Sequence, residues 1–579
     1  MTDRNPIRRL ALLTQPLRCG ALLACALIVL STAPASLARE GEPPVSFRKS
    51  ATPLTEIALR TMPAVDVERL RSEDAIAEQA PTPQPTRFAA PIPVAFDLET
   101  SGTWENLDDG SRLWRLRIAS PGALSLNLGL QRFDIPQGAR LWLYDSRGLR
   151  VEGPYTSADA ARDGSLWTPL LLDDEVTLEL HLPAGTAEAR VEVSQVSHGY
   201  RFFGEVPGKQ GACNIDVVCS QADPYRDQVR AVARYTRSGA FLCTGQLLNN
   251  TSGNFRPLFL TAEHCGITSG NASSVVVYWN YEAPTCGQLS GGSLDDNQSG
   301  STLLADYEPS DFALIELDAA PSEASNVYYA GWDVSGSTPQ SVVGIHHPRG
   351  DEKAIAIEGD PLVSVDIGTG GQTHWQVNAW DEGTTEGGSS GSCIFDQATK
   401  RCVGKLTGGF ASCTNPTGLD VYGKLSVSWT GGGTAASRLS DWLDPTASGA
   451  TVLDGANPGG VGPACVTDND TLCLNNNRFK VEVMWDTGDD TGPAIVVPGG
   501  TGDSSNFWFF SANNWEMLFK VLNGCGINNH YWVFFAATTD VGFTATVTDT
   551  QTNEVKVYTN ALGQAANAIT DTSAFATCP

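Results

Sequence analysis

The segment Gly388-Ser389-Ser390-Gly391-Ser392, read with Thr261-Ala262-Glu263-His264-Cys265 and Ser310-Asp311-Phe312-Ala313-Leu314-Ile315 upstream, supplies an imidazole, a carboxylate and a hydroxyl in the order His, Asp, Ser. A serine hydroxyl is a weak nucleophile at neutral pH. It becomes a strong one when a base takes its proton and a third group fixes the tautomer of that base. Ser390 is the candidate nucleophile, His264 the base and Asp311 the orienter, and the chemistry implied is acyl transfer. Small residues around Ser390 let the backbone turn tightly and aim the amides of Gly388 and Ser390 at one point, as an oxyanion hole requires. A Gly/Ser-rich stretch alone is a flexible loop, and one aspartate among 65 acidic residues says nothing. Joint order and flanking sequence carry the reading.

Seven histidines leave few rivals for the base. His181 and His198 lie in an N-terminal third that is expected to be removed. His346 and His347 are adjacent, so on a strand they face opposite ways and cannot readily share a metal; they read as structural. His374 and His530 lack acidic or cysteine neighbours at ligand spacing. No metal and no cofactor are expected.

The spacing, roughly 50 residues from His264 to Asp311 and roughly 80 more to Ser390, suits the chymotrypsin order rather than the subtilisin or hydrolase orders. Further stretches sharpen this: Cys213-Asn214-Ile215-Asp216-Val217-Val218-Cys219, Val277-Tyr278-Trp279-Asn280-Tyr281, Ile345-His346-His347-Pro348, Ser428-Trp429-Thr430-Gly431-Gly432-Gly433 and Arg438-Leu439-Ser440-Asp441-Trp442-Leu443-Asp444-Pro445. On these, residues 210 to 454 resemble the bacterial lysyl endopeptidases, secreted serine proteases of the trypsin fold. The resemblance implies two packed β-barrels with His264, Asp311 and Ser390 in the cleft between them.

Specificity is read at two positions. Trypsins carry their substrate-binding acid six residues before the serine, and here Thr384 stands there. Asp420, in Leu419-Asp420-Val421-Tyr422-Gly423, matches the place where lysyl endopeptidases carry theirs. A carboxylate at the base of a pocket selects Lys or Arg, because a neutral side chain leaves the charge unpaired; a surface turn aspartate is the alternative. Lys over Arg rests on the resemblance alone. Thr407, before Gly408-Gly409, departs from it, since the best-known members have an aromatic ring there.

Of the 14 cysteines, Cys19 and Cys25 fall in an N-terminal leader, and the even remainder fits a disulfide framework. The resemblance implies Cys213 with Cys413, Cys219 with Cys286, and Cys243 with Cys265. Cys393 and Cys402 have no counterpart in the family and flank an expected hairpin, for which a local bridge is the simple reading. Cys465, Cys473, Cys525 and Cys578 are left for the C-terminal region.

At 579 residues the chain is too long for one protease domain. The expected fold is all-β: a two-barrel trypsin-like serine protease domain over 210–454, flanked by a β-rich prodomain over 39–209 and a C-terminal β-sandwich-like module over 465–579. Residues 1–38 read as a signal peptide, with Arg8, Arg9 and Arg18 before the apolar run Ala21 to Leu30, so a secreted, extracellular protein is expected. No later stretch approaches the roughly 18 apolar residues of a membrane span. In 39–209, Leu113 to Ile118 and Val176 to Leu182 alternate with period two. Residues 455–464 form a Gly/Pro-rich linker. Aromatic strands at Phe507 to Phe510 and Tyr531 to Phe535 read as core, with surface binding the minor alternative.

Lys209 precedes the stretch resembling the mature start, so a lysine-directed enzyme could release itself at Lys209-Gln210. In trypsin-type zymogens the freed N-terminus pairs with an acid beside the catalytic serine; here that neighbour is Ser389, so activation must work another way. Expected partners are protein or peptide substrates and the chain's own prodomain. A net charge of -27 argues against nucleic acid, and a monomer is expected. The competing reading is a protease-like binding or adhesion protein acting through its C-terminal β module.

Overall fold

A computed structural model describes residues 42–78, 84–201, 210–458, 465, 467–475, 477–550 and 554–578. The leader expected at 1–38, Lys209 and most of the linker lie outside the described residues. Among the described residues no helix is long and apolar enough to cross a membrane, and no group of three or more His, Cys, Asp or Glu side chains could hold a metal.

The N-terminal part is a β-sandwich. One sheet is built around Arg112–Ala119 and Glu175–Leu182, which pair antiparallel from Arg112 with Leu182 to Ala119 with Glu175; the other carries Ala89–Asp97, Arg190–Gly199, Ser125–Asp134 and Leu166–Trp167. Leu116, Ile118, Leu128, Leu130, Leu178 and Leu180 fill the space between them. The outer face of the two central strands is covered rather than open to water. Arg115 and Glu179 point away from the core yet are buried, because Val45–Arg48 and the chain after it cover that face. The Ser46 amide donates to Glu179 Oε1 at 3.0 Å, and Arg115 Nη2 donates to the Thr52 carbonyl at 2.5 Å. A buried charge survives only when so paired.

The middle of the chain forms the two barrels. The first runs Asn297–Ser299, Val276–Tyr278, Val232–Arg237, Phe241–Leu247, Leu258–Thr261, Phe312–Leu317 and Ser301–Tyr307. The second runs Ile215–Asp216, Ala354–Glu358, Val342–His346, Cys393–Asp396, Cys402–Gly409, Asp420–Lys424, His374–Val377 and Val363–Val365. Leu260, Phe312, Leu314, Trp332, Val343, Ile355 and Phe395 form one core cluster that draws on both barrels. Full burial of each such side chain contributes about 1.5–3 kcal/mol. The last pairing of this unit, Tyr329 with Ala456, falls within the stretch read as linker.

The N-terminal sandwich is joined to the first barrel through backbone. Thr86–Arg87 pairs antiparallel with Leu242 and Phe241, and the Phe88 amide donates to the Ala240 carbonyl at 2.9 Å. Residues 465–578 form a second sandwich of two five-stranded sheets. Phe507, Phe519, Val533 and Phe535 lie in its core, whereas Phe510 and Trp515 are exposed.

Among the described residues the disulfides are Cys213–Cys413, Cys219–Cys286, Cys243–Cys265, Cys393–Cys402, Cys465–Cys473 and Cys525–Cys578. Cys393 and Cys402 close the hairpin between Cys393–Asp396 and Cys402–Gly409.

Candidate active site

Strand pairing brings His264 to Asp311. Leu258–Thr261 runs antiparallel to Phe312–Leu317 with Thr261 opposite Ala313, so the turn leaving one strand meets the turn entering the other. Asp311 sits there with a positive φ of 54°, after the short turn Glu308–Ser310. Its Oδ1 accepts the His264 backbone N–H and its Oδ2 lies on His264 Nδ1, each at 2.9 Å. Burial alone would raise the Asp311 carboxyl. The charge of His264, with hydrogen bonds from His264 and the Thr407 hydroxyl, outweighs burial and holds it below the usual range. His264 Nε2 is buried and has no hydrogen-bond partner among the described residues, so the ring keeps its second nitrogen available.

Ser390 reaches the same place from the second barrel. Its carbonyl accepts the Thr244 amide at 2.9 Å, and Gly391 packs so tightly on Thr261 and the Ala262 amide that no Cβ fits. The serine turn is thereby pressed on the chain that leads to His264, and Ser390 is half-buried. Gly388 holds a φ of 97°, which glycine adopts without strain, and its carbonyl accepts the Thr244 hydroxyl at 2.9 Å. Ser389 turns inward, its Oγ 2.8 Å from Nδ1 of the buried His346. His347 lies on the other side of that strand end, with Nδ1 2.8 Å from the Asp351 carbonyl.

Behind Asp311 lies a relay that the sequence does not announce. His374 Nε2 is 3.1 Å from Thr407 Oγ1, and the Thr373 hydroxyl is 2.8 Å from His374 Nδ1. Burial and nearby Lys405 push His374 down to about 4. The Asp311 carboxylate can only accept, so Thr407 donates to it and takes Nε2–H of the neutral His374 ring, whose Nδ1 then accepts the Thr373 hydroxyl. Below them the buried Lys405 gives its Nζ to the Ser310 carbonyl at 2.5 Å and to the Ser428 hydroxyl at 2.8 Å, which pins the turn before Asp311. Burial pushes this lysine down to about 7, against the pull of Asp311.

Asp420 is not a surface aspartate. It is 1 % exposed, with Trp380 Nε1 at 2.8 Å and the Thr385 hydroxyl at 2.7 Å both donating to Oδ2. Burial raises its carboxyl to about 6 even so, against these bonds and one from the Ala411 amide. Gly409 lies opposite Asp420 in the paired strand, and only a residue without a Cβ admits the carboxylate there. Thr384 and Thr385 lead into the Ser390 turn, so through Thr385 the charge is joined to the loop that carries the candidate nucleophile. Trp380, Thr385 and His374 had no motif to mark them.

Two family profiles and a relative of known family match this chain. The lysyl endopeptidase C-terminal domain profile matches residues 207–423, and the lysyl endopeptidase N-terminal domain profile matches 59–200. A lysyl endopeptidase of Pseudomonas aeruginosa is 30% identical over 392 residues, covering 59% of this chain and 80% of the relative. Among solved structures, an HtrA-type protease with a tripeptide is 15% identical over 44% of this chain and 70% of its own, with a TM-score of 0.26. Neuropsin, a serine protease expressed in the limbic system of mouse brain, is 16% identical over 35% and 93%, with a TM-score of 0.26. By its two domain profiles and its Pseudomonas relative, the chain belongs to the lysyl endopeptidases and is a serine endopeptidase.

Proposed function

We propose that this enzyme is secreted as a precursor, with residues 39–209 as prodomain, and cleaves peptide bonds after basic residues, Lys in preference. The observation that carries the specificity is the buried Asp420 carboxylate, joined through Thr385 to the loop that carries Ser390. Ser390 Oγ attacks the scissile carbonyl while His264 Nε2 takes its proton, and Asp311 stabilises the imidazolium that forms. The amides of Gly388 and Ser390 receive the oxyanion. His264 then protonates the leaving amine, and a water activated by the same imidazole releases the acyl group from Ser390.

Lys is favoured over Arg by the way Asp420 is held. A guanidinium binds a carboxylate best through two parallel N–H donors that need both oxygens. Here Oδ2 already accepts from Trp380 and Thr385. A compact ammonium needs only one open lone pair and takes full advantage of the charge. The six disulfides fit an oxidising, extracellular setting. Self-cleavage at Lys209-Gln210 would free the protease domain by its own specificity.

The test is digestion of a denatured protein with the processed enzyme, cut sites mapped by mass spectrometry, beside labelling with a serine-directed inhibitor. Cuts after Lys in large excess over Arg and label on Ser390 are expected. Unlabelled Ser390, or cuts indifferent to basic residues, would overturn the reading.

A further inference from the structure

The residue next to the nucleophile cannot receive a new N-terminus, because Ser389 is neutral and already engaged. Its Oγ is 2.8 Å from His346 Nδ1 and accepts the Glu386 amide at 3.3 Å. Gln210, the residue after the expected cut, is instead seated elsewhere. It is 6 % exposed, its backbone N–H donates to Asp351 Oδ2 at 3.1 Å, and its side-chain amide donates to the Glu352 carbonyl at 3.4 Å. The next residues are tied down as well. The Gly211 amide and Asn214 Nδ2 each donate to Glu386 Oε2 at 2.9 Å, and Cys213 is bonded to Cys413.

The loop holding Gln210 is the one that supports the oxyanion turn. Arg349 N–H donates to the Gly387 carbonyl at 2.6 Å, and Arg349 Nε donates to Glu386 Oε1 at 3.1 Å. Gly388 packs on the Gly350 amide so closely that a Cβ there would lie 2.7 Å from it. In and beside this loop the acids Asp351, Glu352, Glu386, Glu282 and Asp216 outnumber the cations Arg234, Arg349 and Lys353. Arg234 donates to the Gly350 carbonyl at 2.7 Å, Lys353 pairs with Glu282 at 2.8 Å, and Arg349 pairs with Glu386. Glu352 acts on Asp216 as a neighbouring charge. One more cation would improve the balance.

We propose that Asp351 is the receptor for the α-ammonium of Gln210, with the Glu352 carbonyl holding the Gln210 side chain beside it, an ion pair that replaces the trypsin-type pair and stiffens the loop beneath Gly387 and Gly388. This rests on cleavage after Lys209. In that cleavage water adds across the Lys209–Gln210 bond, its hydroxyl going to the Lys209 carbonyl carbon and a proton to the Gln210 nitrogen as the C–N bond breaks. At neutral pH the new acid then loses a proton and the new amine gains one. A neutral amide donor on Asp351 thus becomes a buried cation without moving, and the stronger attraction of opposite charges in a water-poor site offsets the desolvation of the new ammonium.

The experiment compares processed wild type and processed Asp351→Asn with the same two chains in an uncleavable Lys209→Gln background, reading the N-terminus, turnover of a small lysine ester, and the rate of Ser390 labelling by a small serine-directed inhibitor. The expected result is a Gln210 N-terminus, a kcat loss of about tenfold or more in processed Asp351→Asn with little change in KM, and less than about twofold effect on labelling of the uncleavable chain. Inserting one Ala between Lys209 and Gln210 displaces the ammonium and leaves every loop residue intact, so it should reproduce the kcat loss even if Asp351→Asn folds poorly. Equal losses in cleaved and uncleavable chains, or full activity with the inserted Ala, would overturn the proposal while leaving cleavage at Lys209 standing. An N-terminus other than Gln210 would remove both.

Discussion

Asp311 holds His264 at two points, taking the backbone N–H on Oδ1 and the ring on Oδ2 at equal distances of 2.9 Å. The double hold fixes backbone and imidazole together, so the ring can turn only Nε2 toward the serine side. Asp311→Asn keeps the shape but offers Nδ1 an N–H donor, which favours the tautomer with the proton on Nε2. We expect kcat to fall by about 10⁴-fold, with KM and thermal midpoint little changed. A loss below tenfold, measured on a lysine ester, would remove Asp311 from the orienting role.

The relay behind Asp311 predicts a smaller effect of a different kind. Thr407→Val removes the hydroxyl that joins His374 to Asp311 and leaves two polar groups without their partner. We expect a kcat loss of about tenfold with KM unchanged, equal to roughly 1.4 kcal/mol of transition-state stabilisation. Thr407→Ser should restore most of it. A KM effect without a kcat effect would show that Thr407 shapes the pocket instead.

Much of this arrangement was legible before any coordinates, and the reason is local. His264, Asp311 and Ser390 each sit inside a recognisable stretch, and the all-β class follows from alternation and turn residues. Contacts between distant strands leave no such trace. Thr407 reads as a mere departure from family pattern until His374, 33 residues away, is seen hydrogen-bonded to it. Trp380 and Thr385 look like ordinary residues until both are found on one oxygen of Asp420. Alternation in Leu113 to Ile118 marks a strand, but periodicity reports side-chain direction and cannot foresee that Val45–Arg48 folds back over one of its faces.

Asp420 should give a pH signature separable from that of the proposed base, His264. Burial raises its carboxyl to about 6, so in the free enzyme it is protonated below that pH and cannot pair with a cation. A competitive inhibitor shaped like the lysine side chain, such as butylammonium, does not need the histidine. Its affinity should be flat above pH about 6 and fall about tenfold per pH unit below it. An affinity unchanged between pH 5 and 8, on a scale of about one log unit, would place the ligand away from Asp420.

The same burial sets function against stability. For a carboxyl whose pKa is raised on folding, the unfolded chain gives up its proton first. The penalty is therefore absent below the ordinary carboxylate range, grows as pH rises through it, and is complete above about 6. A shift from 3.8 to about 6 corresponds to about 3 kcal/mol at neutral pH. Asp420→Asn keeps an acceptor for Trp380 and Thr385 and removes the charge. It should raise the thermal midpoint at pH 7, but not at pH 4, while cleavage after Lys falls by orders of magnitude. A lower midpoint at pH 7 would mean that the carboxylate is paired more strongly than its burial suggests.

We expect the strand Thr86–Arg87 to obstruct the path of an extended substrate beside Ser390. It pairs with Leu242 and Phe241 on the edge of Phe241–Leu247, the strand whose Thr244 amide binds the Ser390 carbonyl, and Thr86 lies against Gly387. Backbone pairing of this type is how strands recognise extended peptides, so the uncleaved chain should exclude peptides yet admit small esters. Arg87 fastens the strand to the helix Val67–Ala77, with Nε on Asp74 at 2.8 Å and Nη2 on the Leu70 carbonyl at 3.1 Å. In the uncleavable Lys209→Gln chain, Arg87→Ala should raise kcat/KM on a peptide substrate about fivefold, in keeping with the roughly 1 kcal/mol of a partly exposed ion pair, and leave ester hydrolysis unchanged. If ester and peptide rates rise together, the segment acts on the catalytic turn itself and not on the path of the substrate.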